Sequence, residues 1–176
     1  MEQNLLNLLM NRRSVRIFKN EKPDNELIRK VIKAGLLAPS SKNKKPVEFI
    51  LIDDKDTMLK LKDCKNKGNI GLDTAPYAIV VIGDSEKSDV WIEDASIAAS
   101  YIQLESEELG LGTVWIQMRK RISNQDNNSE SEVRRVLNIP DNYGVLCIIA
   151  IGYKNEIKNP YEENEIDASK VHYGKY

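Results

Sequence analysis

The chain has 176 residues, of which 41% are apolar and 30% are charged, and its formal net charge is −1 at pH 7. This balance is typical of one soluble globular domain with a sizeable core. The near-neutral charge, without a long basic block, argues against nucleic-acid binding, and no apolar run is long enough to span a membrane. The N-terminal segment lacks a basic region followed by an apolar stretch, so we expect no signal peptide and a cytoplasmic protein.

Cysteine and histidine content limits the metal and redox chemistry of the chain. Cys64 and Cys147 are far apart and form no CxxC pair, so we expect two free thiols. His172 is the only histidine. Without a cluster of histidines and cysteines, we expect no metal site.

Hydrophobic periodicity predicts helices and strands that alternate along the chain. The first helix rests on Leu5, Leu8 and Leu9, and the second begins with Asp24 as its N-cap and ends before Pro39. In chain order we predict helices over 2–11, 24–38, 54–67, 89–110 and 131–137, and strands over 47–52, 77–83, 113–117 and 145–151. This interleaving indicates helices on both faces of a sheet. Periodicity alone leaves open whether the strands are parallel or antiparallel.

Two segments have no clear place in such a core. The helix over 89–110 is apolar on two sides, so we expect it to be buried or to lie in a subunit interface. The tail from about 154 to 176 is polar and acidic, and is either disordered or packed on something other than its own core.

An arginine-rich segment follows the first helix. Arg12, Ser14 and Arg16 share a face if the chain is extended, whereas Arg12 and Arg16 share one if the helix continues. In either case two guanidinium groups converge, and their paired donors suit a phosphate or another delocalised anion. A solvated basic turn is the alternative interpretation.

Three motifs in order resemble the nitroreductase family of FMN-dependent oxidoreductases. They are Arg-Arg-Ser-Val-Arg at 12–16, Ala-Pro-Ser-Ser-Lys-Asn at 38–43 and Gly-Leu-Gly-Thr-Val-Trp-Ile at 110–116, and the resemblance covers nearly the whole chain. It implies an α+β sandwich, with a mixed, mostly antiparallel sheet between helices. It also implies a single domain over 1–176 that forms an intertwined homodimer, with the tail from about 154 wrapped onto the partner subunit.

The resemblance also implies roles for the arginine-rich segment. Arg12 and Ser14 would hold the FMN phosphate, and Arg13 would lie beside the ribityl chain or the phosphate. Arg16 would point at the pyrimidine edge of the flavin, where a cation stabilises the negative charge of the reduced form.

In the second motif, Asn43 matches a residue that hydrogen-bonds the flavin pyrimidine, although an ordinary turn residue is the alternative. Pro39, Ser40 and Ser41 match positions that line the dimethylbenzene side and the ribityl chain from the other subunit. Many family members have Gln where this chain has Lys45. The role of the lysines at 42, 44 and 45 is left open between attraction of a nucleotide phosphate and a solvated loop.

In the third motif, Trp115, Ile116 and Gln117 would run past the flavin with backbone groups facing it, and Trp115 is equally consistent with core packing. Many members have Gly where this chain has Gln117. Lys175 matches a basic position that reaches the phosphate. His172 is interpreted as structural.

The implied activity is hydride transfer from NADH or NADPH through FMN N5 to a small acceptor by a ping-pong mechanism. A nitroaromatic, a quinone or a free flavin would be the acceptor, and the flavin would carry the chemistry without a catalytic triad. The main alternative is an FMN-binding redox sensor, flavin store or electron-carrier partner without NAD(P)H turnover. Dehalogenation or dehydrogenation on the same fold, and an interaction domain without flavin, are further alternatives.

Overall fold

The structure, a computed structural model, describes residues 5–176. Its strands are β1 (Val47–Ile52), β2 (Tyr77–Asp84), β3 (Leu111–Gln117) and β4 (Tyr143–Tyr153). They form one sheet in the order β1-β2-β4-β3, and every neighbouring pair is antiparallel. The four predicted strands and the mostly antiparallel sheet are confirmed. The single parallel pairing is an isolated bridge between Ser14 and Thr113.

Five α-helices cover the sheet. They are α1 (Leu5–Asn11), α2 (Asn25–Leu36), α3 (Lys55–Asp63), α4 (Trp91–Glu108) and α5 (Ser129–Leu137). Asp24 caps α2 as predicted, because its side chain accepts a hydrogen bond from the Glu26 N–H at 2.9 Å. Residues 2–4 of the first predicted helix lie outside the described part of the chain.

The third helix is shorter than predicted, because it ends at Asp63 rather than at residue 67. The Asn69 side chain donates to the carbonyl oxygens of Lys62 and Lys65 at 2.7 and 2.6 Å, so it satisfies acceptors near the helix end. The Asn66 N–H donates to the Ile122 carbonyl at 3.0 Å and draws the chain away from the helix axis. The prediction was wrong here because both partners lie outside the helix, and Ile122 is distant from it in sequence.

Two apolar layers hold the helices on the sheet. One face of the sheet packs against α3 and α5, through residues such as Met58, Val80 and Val133. The other face packs against α2 and α4, through residues that include Ile79 and Ile102. Strand β2 is buried along both faces until Asp84, as its continuous apolar run predicts.

Close packing fixes the start of α4 on the sheet. The ring of Trp91 lies over Gly83 and Gly144, where a Cβ would stand 2.6 and 2.2 Å from ring atoms. The two glycines are therefore required for this approach, since real Cβ atoms do not come so close. The face of α4 that carries Ala95 and Ala99 is buried, as expected.

The second apolar face of α4 and the tail remain at the surface of the chain. Ile97 and Tyr101 on α4 are 38% and 40% exposed. From residue 154 onward the chain contains two short 3-10 turns, at Glu163–Glu165 and Ala168–Lys170, and its side chains are largely exposed. Within the described residues, no helix combines the length and apolarity needed to cross a bilayer.

Candidate functional site

The arginine-rich segment lies against the edge strand β3. It leaves α1 after Asn11 and becomes extended, which decides between the two conformations considered for it. The Val15 N–H donates to the Thr113 carbonyl at 2.8 Å, and the Val15 side chain is buried. Further along, the Phe18 N–H donates to Thr74 Oγ1 at 3.0 Å. The first and third motifs are thus neighbours at one edge of the sheet.

Within the described residues, none of the three guanidinium groups in this segment has a carboxylate partner. The Arg16 guanidinium donates to the Ser14 carbonyl at 3.5 Å. Within residues 5–176, neither Arg12 nor Arg16 forms an ion pair through its guanidinium. Unneutralised arginines on either side of a serine hydroxyl provide donors suited to an oxyanion.

In the described chain, the side chain of Arg13, unlike those of Arg12 and Arg16, hydrogen-bonds to the C-terminal tail. It donates to the carbonyl of Asn159 and lies over the Tyr161 ring, with the guanidinium carbon 4.5 Å from the ring centroid. The Tyr161 N–H in turn donates to the Met10 carbonyl at 2.9 Å. Arg13 therefore holds the tail against the end of α1 in this structure.

Glu156 on the tail also contacts the segment. Its carboxylate accepts from the backbone N–H of Arg16 and lies 2.7 Å from Lys158 Nζ. Burial acts to raise the pKa of Glu156, but the hydrogen bonds from Arg16 and Lys158 outweigh it and leave the pKa below its ordinary value. Glu156 is therefore ionised near neutral pH, and its charge is shared with Lys158 rather than with the Arg16 guanidinium.

Strand β3 presents a free backbone edge beside the arginines. The Thr113 carbonyl points away from β4, because it accepts from Val15. Backbone groups alternate in direction along an antiparallel strand, so those of Trp115 and Gln117 also face outward. In the described chain, neither residue's backbone forms a hydrogen bond outside the sheet. The edge thus offers unpaired donors and acceptors to a ligand.

The side chains of this strand are fixed by local contacts. Trp115 Nε1 donates to Gln117 Oε1 at 2.8 Å, and Gln117 Nε2 donates to the Arg119 carbonyl at 3.1 Å. Trp115 is half-buried and packs on the core face shared with α2 and α4. Ile116 is turned the other way: its side chain is fully buried, and it pairs with Ile148 of β4. Of these three residues, Trp115 and Gln117 direct their backbone groups toward the free edge, whereas those of Ile116 pair with β4.

The second motif lies at the opposite edge of the sheet. Pro39, Ser40, Ser41 and Asn43 precede β1, which is separated from β3 by β2 and β4. Three strand spacings amount to about 14 Å. A single chain therefore does not bring the second motif to the other two.

The loop that carries the second motif is strained and anchored. Lys42, Asn43 and Lys45 have φ values of 51°, 53° and 48°, in the left-handed region that residues other than glycine rarely adopt. The Ser41 N–H donates to the buried carboxylate of Asp94 at 2.9 Å, and the Lys45 N–H donates to Ser40 Oγ at 2.8 Å. Strain of this kind persists only where surrounding contacts determine the conformation.

The end of the tail stands apart from these elements. Lys175 is exposed, and the His172 ring lies 4.4 Å from the ring of the equally exposed Tyr176. The described chain places neither Lys175 nor His172 against the arginine-rich segment. No group of three or more His, Cys, Asp or Glu side chains in the described part could hold a metal ion.

Comparison with known proteins identifies the family. A family model described as the nitroreductase family matches residues 9–70 and 63–153. This chain belongs to the nitroreductase family. The structure of an FMN-dependent nitroreductase from Clostridium difficile is 47% identical, covers 97% of this chain and 99% of its own, and has a TM-score of 0.94.

Two further proteins are similar to this chain over nearly their full length. A structure from Bacteroides thetaiotaomicron is 32% identical, covers 100% of both chains and has a TM-score of 0.89. A relative from Archaeoglobus fulgidus is 31% identical over 97% of this chain and 98% of its own length. Both carry the provisional name NADH dehydrogenase/NAD(P)H nitroreductase.

Sequence analysis missed two residues that shape this nitroreductase-family site. Asp94 is a buried acid on a largely apolar face of α4, and a charged residue at such a position could have indicated a structural role. Thr74 anchors the arginine-rich segment through its hydroxyl, but it follows a short 3-10 turn that periodicity does not reveal. Both residues hold a motif in place through a hydrogen bond to its backbone.

Proposed function

We propose that this protein is an FMN-dependent oxidoreductase that transfers hydride from NADH or NADPH to a small acceptor. A nitroaromatic, a quinone or a free flavin would be the acceptor. The observation that carries the proposal is the free edge of β3 beside the unneutralised guanidinium groups of Arg12 and Arg16. Membership in the nitroreductase family, and the FMN-dependent relative at 47% identity, support it.

The chemistry of the site fits FMN. Arg12 and Ser14 would bind the phosphate, because a guanidinium fork and a hydroxyl match its oxygens. The outward backbone groups of Trp115 and Gln117 would hydrogen-bond the edge of the flavin ring. Arg13 would contribute less than its neighbours, since its guanidinium is taken up by the tail.

When bound, FMN supplies the hydride-accepting and hydride-donating atom, N5, and the protein supplies position and charge. Arg16 would hold a fixed positive charge at the pyrimidine edge, where negative charge accumulates on reduction. Trp115 and Gln117, locked to each other at 2.8 Å, would keep the strand edge rigid beside the ring. A preorganised edge of this kind avoids the cost of ordering the protein when a substrate binds.

We also propose that the site is completed by a second copy of the chain. The second motif lies at the β1 edge, so Pro39, Ser40, Ser41 and Asn43 would reach the flavin only from a partner. Apolar side chains on α1, α2 and α4 offer the interface: Leu5, Leu6, Leu9, Leu36, Leu37, Ile97 and Tyr101 are all exposed. Contiguous exposed apolar surface marks an interaction site. The part of the tail beyond Tyr161, with Lys175, would then pack on the partner, whereas residues 156–161 contact their own chain.

Steady-state kinetics test the proposed reaction. Initial rates measured against NAD(P)H at several fixed acceptor concentrations should give parallel double-reciprocal lines, because the oxidised nicotinamide leaves before the acceptor binds. Intersecting lines would contradict the ping-pong order while leaving the cofactor assignment intact. A flavin-containing protein without any turnover would favour the sensor, store or carrier role.

A further inference from the structure

A second cationic group lies beyond the far end of β3. Lys65 follows α3 and is only 9% exposed, which is unusual for a lysine. Arg121 follows β3 by four residues, after a turn in which its N–H donates to the Met118 carbonyl at 3.1 Å. The two segments are joined by the hydrogen bond from the Asn66 N–H to the Ile122 carbonyl. The pKa of Lys65 is lowered by burial and, to a smaller extent, by the positive charge of Arg121.

The loop that carries Lys65 is held in place from both sides. The Lys65 N–H donates to the Lys62 carbonyl at 3.2 Å, and its own carbonyl accepts from Asn69 Nδ2 at 2.6 Å. Asn69 is itself buried. The position of the lysine is thus built into the fold and is not an accident of a surface side chain.

Lys65 has no counter-charge within the described residues. Its Nζ makes no hydrogen bond or ion pair there. Two acids on these segments accept hydrogen bonds from neutral donors and form no ion pair with Lys65. Asp63 accepts from Asn124 Nδ2 at 3.1 Å, and Glu130 accepts from the backbone N–H groups of Lys120 and Val145. A lysine that is largely buried and has no partner in the described chain is less well hydrated than a surface lysine, which favours an anion as its partner.

The ammonium group is also within reach of a ligand. In the described chain, Ser129 Oγ is the one side-chain polar atom that is both enclosed and without a hydrogen-bond partner. Lys65 Nζ also has no partner, so it must keep some contact with solvent. Gly68 leaves open space beside it. If Gly68 carried a Cβ, the atom within 4 Å of it would be Lys65 Nζ, at 3.5 Å.

We propose that Lys65 and Arg121 form an anion subsite that binds a phosphate group. A guanidinium offers paired donors and an ammonium a compact charge, which together match a phosphate dianion. The subsite is separate from the Arg12–Ser14 end of the edge. Ser14 pairs with Thr113, and the four residues from Thr113 to the end of the strand at Gln117 span about 13 Å. The phosphate comes either from the nucleotide donor, as the 2′-phosphate of NADPH, or from another phosphorylated molecule.

The test uses inorganic phosphate as the probe and does not depend on turnover. Titration calorimetry is run on protein carrying one equivalent of FMN, so that the Arg12–Ser14 end is filled, with sodium chloride matched for ionic strength. Lys65→Met keeps the side-chain volume and removes the charge, and Arg121→Gln removes the exposed partner. Each should weaken phosphate binding at least tenfold. Lys67→Gln, an exposed lysine in the same loop, should change it less than twofold.

The melting temperature shows whether Lys65→Met is folded, so that a loss of phosphate binding is not mistaken for a loss of structure. Because the Lys65 side chain is largely buried and its ammonium has no partner in the described chain, Lys65→Met should be as stable as the wild type or more stable in phosphate-free buffer. Added phosphate should raise the melting temperature of the wild type but not that of the variant. The proposal is overturned if the wild type binds no phosphate, if both variants bind it as the wild type does, or if Lys67→Gln weakens it equally.

Affinities for NADP+ and NAD+ distinguish the two sources of phosphate. If Lys65→Met removes a preference for NADP+ over NAD+, the subsite binds the 2′-phosphate. If that preference is unchanged while binding of inorganic phosphate is lost, the subsite binds a different phosphorylated molecule. A failure of the redox proposal would leave both phosphate measurements interpretable, since neither requires hydride transfer.

Discussion

The carboxylate of Asp94 on α4 accepts a hydrogen bond from the backbone N–H of Ser41 at 2.9 Å. Its second oxygen lies 3.4 Å from the hydroxyl of Ser88, and Asp94 itself is buried. This contact joins the loop of the second motif to the helix that carries the exposed apolar face. The left-handed residues that follow, Lys42 and Asn43, depend on such an anchor for their conformation.

Replacement of Asp94 should therefore disturb the loop and, through it, cofactor binding. Asp94→Ala leaves the Ser41 N–H without its acceptor, and a hydrogen bond to a charged group contributes about 1.5–3 kcal/mol. We expect FMN affinity, measured by quenching of flavin fluorescence, to fall about tenfold. Asp94→Asn keeps one acceptor oxygen and should stay within about threefold of the wild type. Equal affinities for Asp94→Ala and the wild type would show that the loop does not contribute to the site.

The Arg16 guanidinium is predicted to tune the flavin. Arg16→Ala should weaken FMN binding and make the midpoint potential more negative, because the fixed charge favours the reduced form. For a two-electron couple, each tenfold loss of preference for the reduced form corresponds to about 30 mV. Spectroelectrochemical titration measures the shift. Arg29→Ala, an exposed arginine on α2, is the control. An unchanged affinity and potential in Arg16→Ala would remove this residue from the site.

Arg13 should behave differently from its neighbours. Because it binds Asn159 and Tyr161, Arg13→Ala should release the tail, and the Tyr161 amide should exchange with deuterium faster. A cation–π contact at an exposed site contributes about 0.5–1 kcal/mol. FMN affinity should change less than in Arg16→Ala. Unchanged exchange over residues 156–162, together with a large loss of FMN, would instead place Arg13 on the cofactor.

The buried thiol of Cys64 predicts a pH dependence of stability. Burial raises its pKa from 9.0 to about 11, with a contribution from Glu132. The folded chain holds this proton more tightly than the unfolded chain does, so the stabilisation is present below about pH 9 and lost as the pH rises towards 11. Urea unfolding at about pH 8 and pH 10 should show the wild type losing about 1 kcal/mol more than Cys64→Ala. Cys147 is buried and is present in both the wild type and Cys64→Ala, so its contribution to the pH dependence of stability cancels when the two are compared. Equal losses would contradict the raised pKa.

Sequence patterns predicted the elements that depend on local chemistry. The apolar runs of β2 and β4, the Asp24 cap and the two-faced helix α4 were confirmed, because periodicity and capping act within a few residues. The antiparallel direction of the strands came from the resemblance rather than from periodicity. The end of α3 was predicted wrongly, since Asn69 and Ile122 act from outside the helix.

The site was predictable as a set of motifs but not as an arrangement. The sequence placed Arg12, Ser14 and Trp115 in candidate motifs, and the structure brings two of those motifs together at the β3 edge. It did not reveal that the tail takes up Arg13, or that Ile116 turns into the core. Those outcomes depend on strand parity and on contacts across more than a hundred residues, which a local pattern does not encode.

An absorbance spectrum shows whether this protein binds a flavin that NADH or NADPH reduces. The purified protein, with FMN added if needed, is recorded before and after anaerobic addition of NADH and then of NADPH. We predict flavin bands near ~450 nm that bleach with at least one nucleotide, as expected for a flavin reduced by hydride transfer. Bands that persist with both nucleotides would contradict the reductase and favour a sensor, store or carrier. Protein that binds no FMN would contradict the cofactor assignment itself.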